Sequence, residues 1–265
     1  MTALSASRAG AVHRVSRYPY AWLAVFALAQ AAVALAWWRY GAAIGVAALL
    51  ASHAPFWWAT FWPRASLFGP NLARLPTQEQ CVWLTIDDGP SDDTLAILDV
   101  LDAHGAKATF FLVGERAAVR PDAVREIARR GHSVGNHSMT HPSAWFWALG
   151  PWRLAREIGR TQTLLREILG TSPRWFRGVV GMSNPFVFAA LKAHRLARVS
   201  WCARGFDAVS TDPARVVARI ERGLAPGAIV LLHEGAAHGG NVETIRLLLQ
   251  RLDALGYGAV LPESL

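Results

Sequence analysis

Cys81-Val-Trp-Leu-Thr-Ile-Asp87-Asp88-Gly-Pro90 is the stretch on which the reading of this chain turns. Val82, Trp83, Leu84 and Ile86 make a short apolar run rich in strand formers, and Gly89-Pro90 stops it. Two adjacent carboxylates therefore sit at the C-terminal end of a buried strand, which is where α/β folds bind ligands. Neighbouring like charges resist being ionised together in an apolar setting. A metal ion or an arginine is accordingly expected beside them.

Downstream, Asn136-His137-Ser138-Met139-Thr140-His141-Pro142 offers two imidazoles four residues apart, which reach one ion if the segment turns. Asp88, His137 and His141 would form a two-histidine, one-carboxylate set with open coordination positions, leaving Asp87 free as a base. Such a set suits Zn²⁺, and also Fe(II), Co²⁺ or Ni²⁺.

Thr85-Ile-Asp-Asp-Gly-Pro90, Ala108-Thr-Phe-Phe111 and His137-Ser-Met-Thr-His141-Pro142, in that order, resemble the polysaccharide deacetylase family (NodB-homology domain, carbohydrate esterase family 4). The resemblance spans roughly residues 81 to 261. It implies metal-assisted hydrolysis of an N-acyl group on a sugar. Asp87 would be the general base, Asp88, His137 and His141 the ligands of a divalent metal, Zn²⁺ first among candidates.

The same resemblance assigns further residues. Trp175-Phe-Arg177-Gly-Val-Val180-Gly181 stands where the family has an arginine followed by proline and an aromatic residue; Arg177 would keep Asp87 ionised, and backbone near Val180 would face the oxyanion. Val179 replaces that proline and Val180 the aromatic, which bears on groove shape and substrate. Ser200-Trp201-Cys-Ala-Arg204-Gly-Phe-Asp207 fits the fourth motif loosely: Asp207 would orient a histidine, and Trp201 would wall the pocket. Leu231-Leu-His233-Glu234 matches the last motif, with Leu231 lining the acyl pocket and His233 protonating the leaving amine.

Composition adds a membrane. Of the 265 residues 52% are hydrophobic and 17% charged, and the mean hydropathy is positive, greasier than an ordinary soluble enzyme. The net charge is +8, and six arginines against Glu79 alone place +5 of it before Cys81. Basic charge flanking apolar segments fits a membrane, whereas no Lys-rich stripe supports nucleic-acid binding. Cys81 and Cys202 alone do not imply a disulfide framework.

Ala21 to Trp38 carries no charge, and Tyr18, Tyr20, Trp37 and Trp38 sit where interfacial aromatics belong. A signal peptide is the rival reading, but the run is longer than a typical one and ends in Trp37-Trp38-Arg39 in place of a small-residue cleavage site. Ala42 to Trp62 is again free of Asp, Glu, Lys and Arg, interrupted by His53 and Pro55. The expectation is a helical hairpin over residues 1–62, a linker over 63–80 and a catalytic domain over 81–265. A re-entrant second segment is the alternative. Arginines before the first limb and after the second place both ends, and the domain, on the cytoplasmic side of a bacterial inner membrane. A second limb that does not cross would place the domain in the periplasm.

After the linker, strand-like stretches at 82–86, 107–113, 132–136, 174–177, 196–201, 228–233 and 257–261 alternate with helix-like ones near 92–104, 121–130, 151–169, 185–193, 212–223 and 241–255. That is a parallel α/β barrel or a doubly wound sheet; the resemblance narrows it to a distorted, partly open (β/α) barrel of about seven strands. Ser143-Ala-Trp145-Phe-Trp147-Ala-Leu-Gly-Pro-Trp152, followed by Arg153, Arg156 and Arg160, reads either as core packing or as an interfacial rim beside the site. The expected partners are membrane lipid and an amino sugar on a lipid carrier such as a polyprenyl phosphate. The alternatives are a periplasmic enzyme acting on peptidoglycan or an exported poly-amino sugar, and a non-catalytic carbohydrate-binding relative.

Overall fold

A computed structural model describes residues 12–264. Two apolar helices come first, α1 (Ala21–Tyr40) and α2 (Ala42–Phe61), joined at Gly41, whose φ of 83° glycine adopts without the penalty of a side chain. They run antiparallel: Trp37 lies against Gly45, Gln30 Nε2 donates to Ser52 Oγ at 3.2 Å, and Phe26 meets Phe56 edge to face. A Cβ at Gly45 would overlap the Trp37 ring, so a small residue there sets how closely the helices approach. The helix continues through Pro55 to Phe61. Outward residues lack protein cover, with Leu28 74% and Leu50 68% exposed. Both helices are long and apolar enough, by length and composition, to cross a membrane.

The rest is an α/β sheet curled into an open barrel. Its strands are β1 (Asn71–Leu72), β2 (Cys81–Gly89), β3 (Ala108–Leu112), β4 (Ser133–Asn136), β5 (Trp175–Phe176), β6 (Ala197–Val199), β7 (Ala203–Arg204), β8 (Ala228–His233) and β9 (Gly258–Ala259). They pair in parallel in the order β1-β6-β5-β4-β3-β2-β8-β7, with β9 beside the start of β2. The helices are α3 (Thr94–Ala103), α4 (Gly114–Val119), α5 (Pro121–Arg129), α6 (Pro151–Leu169), α7 (Val187–Ala193), α8 (Pro213–Glu221) and α9 (Asn241–Ala254).

The nine short strands exceed the expected seven for two reasons. The predicted strand over 196–201 is part of a run that changes partners: Ser200 N–H donates to Leu72 on one edge, and Cys202 N–H donates to Ile229 near the other. The run so divides into β6 and β7 and draws the two edges of the sheet toward each other. The expected linker, in turn, contributes β1, buries Leu75 and Phe68, and ties Leu75 N–H to Gly227 at 2.8 Å.

Alternation along β2 divides the core. Val82, Leu84 and Ile86 face the helices, packing with Ile97, Leu101, Ile127, Val216 and Leu248. Trp83 faces the interior of the curl with Phe111, Trp175, Trp201 and Leu231. A third cluster joins the hairpin to the barrel: Trp22 of α1 and Ala59 of α2 pack with Phe68, Phe146, Phe176, Val179 and Phe188.

Leu84 is fully buried at the centre of the first cluster. Leu84→Ala is expected to destabilise the fold by about 2–5 kcal/mol, from lost transfer energy and the cavity left behind. Chemical denaturation of the detergent-solubilised protein measures this; a loss below about 1 kcal/mol would contradict the packing described.

Candidate active site

Parallel register brings the predicted residues to one rim. Asp87 pairs with Phe111 on one side and His233 on the other; Leu112 pairs with Asn136, and Asn136 with Phe176. His137 and Arg177, one residue beyond those pairs, emerge at the same level, at the C-terminal ends of the strands. His137 N–H donates to Leu112 and Arg177 N–H to Asn136, extending the ladder to these candidate residues.

The two aspartates need more than register, because successive strand residues normally point to opposite faces. Pairing between β2 and β3 jumps from Asp87 with Phe111 to Gly89 with Leu112, so Asp88 is the extra residue of a bulge. Its φ is 71°, a left-handed geometry that aspartate tolerates better than most residues. The Asp88 carbonyl accepts a hydrogen bond from Arg116 on α4, and a Cβ at Gly89 would collide with the Glu234 carboxylate. Both carboxylates thereby reach one cluster.

Asp88 Oδ1 lies 3.1 Å from His141 Nε2 and 3.5 Å from His137 Nε2. The three donor atoms all fall within 4.8 Å of one another. His137 Nδ1 donates to the Arg177 carbonyl at 2.9 Å, which leaves its Nε2 lone pair directed at the cluster. Asp88 Oδ1 is buried and has no hydrogen-bond partner among the described residues. Burial opposes ionisation of Asp88, yet the two imidazoles hold its carboxyl well below the usual carboxylate range. Burial likewise lowers the His137 pKa, and the charges of Asp87 and Asp88 overcome it and raise the value. A carboxylate and two imidazoles that attract positive charge, with an orphaned oxygen between them, fit a divalent cation.

Arg177 is fully buried and meets Asp87 from the other side, Nη1 to Oδ1 at 2.8 Å. The same nitrogen donates to Thr85 Oγ1, and the Ser200 and Val199 carbonyls accept from Nη2 and Nε. Its guanidinium lies over Phe111, 4.3 Å from the ring centroid. Burial lowers the Arg177 pKa and Asp87 opposes that shift. Among the described residues Asp87 Oδ2 accepts no hydrogen bond, and it stands 3.7 Å from His137 Nε2, so the unshared oxygen of Asp87 lies on the side of the histidine cluster.

His233 comes from the end of β8. Asp207, itself buried, accepts from the His233 backbone N–H at 2.6 Å and from Nδ1 at 2.9 Å. Asp207 is held in turn by His238 Nε2, which donates to its carbonyl at 2.8 Å. Burial alone would lower the His233 pKa, but the Asp207 hydrogen bond and charge outweigh it and push the value up to about 9.

Leu231 and Trp201 are buried on the interior side of the curl, and the Trp201 ring lies 5.5 Å from the Arg177 guanidinium carbon. Val180 is 61% exposed with a φ of 53°, which is strained for a β-branched residue. The aromatic run after His141 divides between its two readings. Phe146 is core, Trp147 packs on Trp57 and Phe61 of α2, and Trp145 and Trp152 are exposed.

A model of the family described as polysaccharide deacetylase matches residues 74–199. A chitooligosaccharide deacetylase of Bradyrhizobium sp. (strain ANU 289) is 35% identical over 160 residues, covering 60% of this chain and 72% of the relative. The chain belongs to the polysaccharide deacetylase family. Among solved structures, a family 4 carbohydrate esterase from Streptomyces lividans in complex with acetate matches with a TM-score of 0.64 and 30% identity, over 71% of this chain and 96% of that one. A pseudoenzyme of carbohydrate esterase family 4 from Bacillus anthracis matches with a TM-score of 0.65 and 26% identity, over 71% and 66%. The family fold thus also occurs in a pseudoenzyme, and the particular side chains matter.

Three polar residues that motif reading passed over hold these loops. Glu157 of α6 accepts from the Met139 and Thr140 backbone N–H groups at 3.0 and 2.9 Å, between the two histidines. Asn136 Oδ1 accepts from Ser138 N–H, while its amide donates to Ile158 and Gln162 of α6. Glu234 accepts from Ser91 and Thr94, past the end of β2. Glu157 stands on the buried side of an otherwise amphipathic helix, a polar interruption that was the available signal.

Asp87→Asn is expected to retain metal, measured by elemental analysis, whereas His137→Ala loses it, because only the latter removes a donor. In Asp207→Asn the protonation midpoint of His233, followed by NMR titration, is expected to fall from about 9 toward the ordinary 6.5. Because the folded value is raised, stability from this pair is fully present below about 6.5 and lost as pH rises through about 9. An unmoved midpoint in Asp207→Asn would refute the pairing.

Proposed function

We propose that this protein is a membrane-anchored, metal-dependent hydrolase that removes an N-acyl group, acetyl or formyl, from an amino sugar carried on a lipid. Family membership supports carbohydrate deacetylation, and the cluster at the sheet rim supports its chemistry. Asp88, His137 and His141 would hold a divalent metal, Zn²⁺ or else Co²⁺ or Ni²⁺, whose Lewis acidity would polarise the acyl carbonyl and acidify a water. Asp87, with Oδ1 engaged by Arg177, takes the proton of the attacking water on Oδ2. Backbone beside Val180 meets the oxygen on which negative charge develops. His233, kept protonated by Asp207, gives its proton to the nitrogen as the C–N bond breaks, so that a carboxylate and a free amine leave. Leu231 and Trp201 form the apolar wall against the acyl group.

The observation that carries the lipid-linked reading is the seating of the hairpin on the active-site loops. Trp57 and Phe61 of α2 pack on Trp147, in the loop that follows His141. Ser183 N–H, in the loop that follows Arg177, donates to the Thr60 carbonyl of α2 at 2.8 Å. Wherever the hairpin enters a bilayer, the rim of the site lies beside it, and exposed Trp58, Trp62, Trp145 and Trp152 are suited to the interface. The antiparallel hairpin returns the chain to its starting side, and Arg14, Arg17, Arg64 and Arg74 at its base favour the cytoplasmic face of a bacterial inner membrane.

Acetate and formate release by the full-length protein in detergent, with and without added Zn²⁺, tests this. Turnover of polyprenyl-phosphate sugars but not of soluble oligomers is expected. In Asp87→Asn that turnover is expected to fall by about 10²–10⁴-fold, the contribution typical of general base catalysis. Turnover of soluble chitooligosaccharides or peptidoglycan fragments alone would overturn the lipid-linked part, and no turnover of any amino sugar would overturn the hydrolase reading.

A further inference from the structure

Arg204 ends β7, where Ala203 pairs with Val230 and Arg204 with Leu231. Ala203 belongs to the core facing the helices, so strand alternation turns Arg204 toward the interior, the side of Leu231 and Trp201. Its guanidinium carbon lies 3.9 Å from the centroid of the Phe206 ring and 5.6 Å from that of Trp201. The same Trp201 ring is 5.5 Å from the guanidinium carbon of Arg177, the partner of Asp87. A single tryptophan therefore separates Arg204 from the catalytic cluster.

Arg204 differs from the other arginines packed near it in that its side-chain donors are unspent. Arg177 and Arg198, both buried, donate to carbonyl, hydroxyl or carboxylate oxygens, and Arg219 donates to the Gly205 carbonyl. Among the described residues the Arg204 side chain makes no hydrogen bond or ion pair and its Nε is buried without an acceptor, although the charge of Asp207 acts on it. Asp207, three residues on, has both carboxylate oxygens engaged by His233. Phe206 sits at a φ of 65°, 47% exposed, in a backbone geometry that a bulky side chain rarely adopts, and its ring covers the guanidinium. A planar cation held between two aromatic faces, with donors unfilled, is preorganised for an anion with several acceptor oxygens.

We propose that Arg204, held between Trp201 and Phe206, recognises a phosphate ester on the substrate sugar and so selects phosphate-bearing amino sugars over neutral oligosaccharides. This rests on the deacylase reading and names the substrate feature that the site selects. A guanidinium one ring away from the reacting centre can engage a phosphate on the same sugar that presents its N-acyl group to the metal.

The test compares the wild type with Arg204→Gln and Arg204→Lys on an N-acetylglucosamine 1-phosphate alkyl ester, on N-acetylmuramic acid and on neutral chitotriose, with thermal melts verifying folding. The ratio of kcat/KM for the phosphate ester to that for chitotriose is expected to fall about 10- to 100-fold in Arg204→Gln, through KM, with Arg204→Lys intermediate. An unchanged ratio, or an equal loss on both substrates, would overturn the proposal, as would an equal loss of preference for the muramic carboxylate. Should no substrate turn over, the deacylase reading fails by itself. Calorimetric binding of N-acetylglucosamine 1-phosphate to the metal-loaded protein then decides: at least tenfold weaker binding to Arg204→Gln supports the phosphate site, and equal binding overturns it.

Discussion

Two carboxylates side by side at the buried end of one strand are the constraint that the structure of this protein answers. Charge in an apolar interior is tolerated only when it is paired and hydrogen-bonded. Here the two are paired with different partners on different sides. Arg177 reaches Asp87 from β5, and His137 and His141 face Asp88 from the loop after β4. The bulge at Asp88 permits this division, because a regular strand would have turned one carboxylate away from the cluster. Placement of β4, β5 and β8 around β2 then follows as the arrangement that brings compensating groups to the strand's end.

The loops that present these groups depart from regular backbone, and side chains stabilise them. Ser138 and His141 both have positive φ, at 68° and 49°, and the N–H groups between the histidines point into protein, not solvent. Buried backbone donors need acceptors. Glu157 and Asn136 supply them from α6 and β4, so the loop that carries His137 and His141 is braced by a helix outside the candidate metal cluster. Asp207 braces the end of β8 in the same way, accepting from the backbone and the ring of one histidine.

The hairpin is not an appendage attached to a finished enzyme. Trp22 and Ala59 share a cluster with Phe146, Phe176 and Val179, residues flanking the His137–His141 loop and the Arg177 loop. Hairpin and candidate-site rim are therefore one packed unit. The exposed apolar side chains of α1 and α2 have no protein to cover them, in contrast to the dense packing at their base.

Much of this was legible in the amino-acid sequence. The apolar run ending in Asp87-Asp88-Gly89-Pro90 set β2, the paired histidines pointed to the donor cluster they form with Asp88, and the two uncharged segments matched α1 and α2, because strand alternation, donor chemistry and hydropathy are local properties. Helix α6 spans residues 151–169 as its periodicity indicates. Local sequence did not reveal the second short strand that follows the expected 196–201 strand on the opposite edge, the contribution of residues 63–80 to the sheet, or the bracing by Glu157, since each depends on a partner distant along the chain. The bulge that turns both aspartates to one face, the seating of the hairpin on the site, and the placing of the Arg204 guanidinium against Trp201 and Phe206 were decided by tertiary structure alone. Sequence specifies which groups are available; which of them meet, and which are left unsatisfied, depends on how the sheet curls.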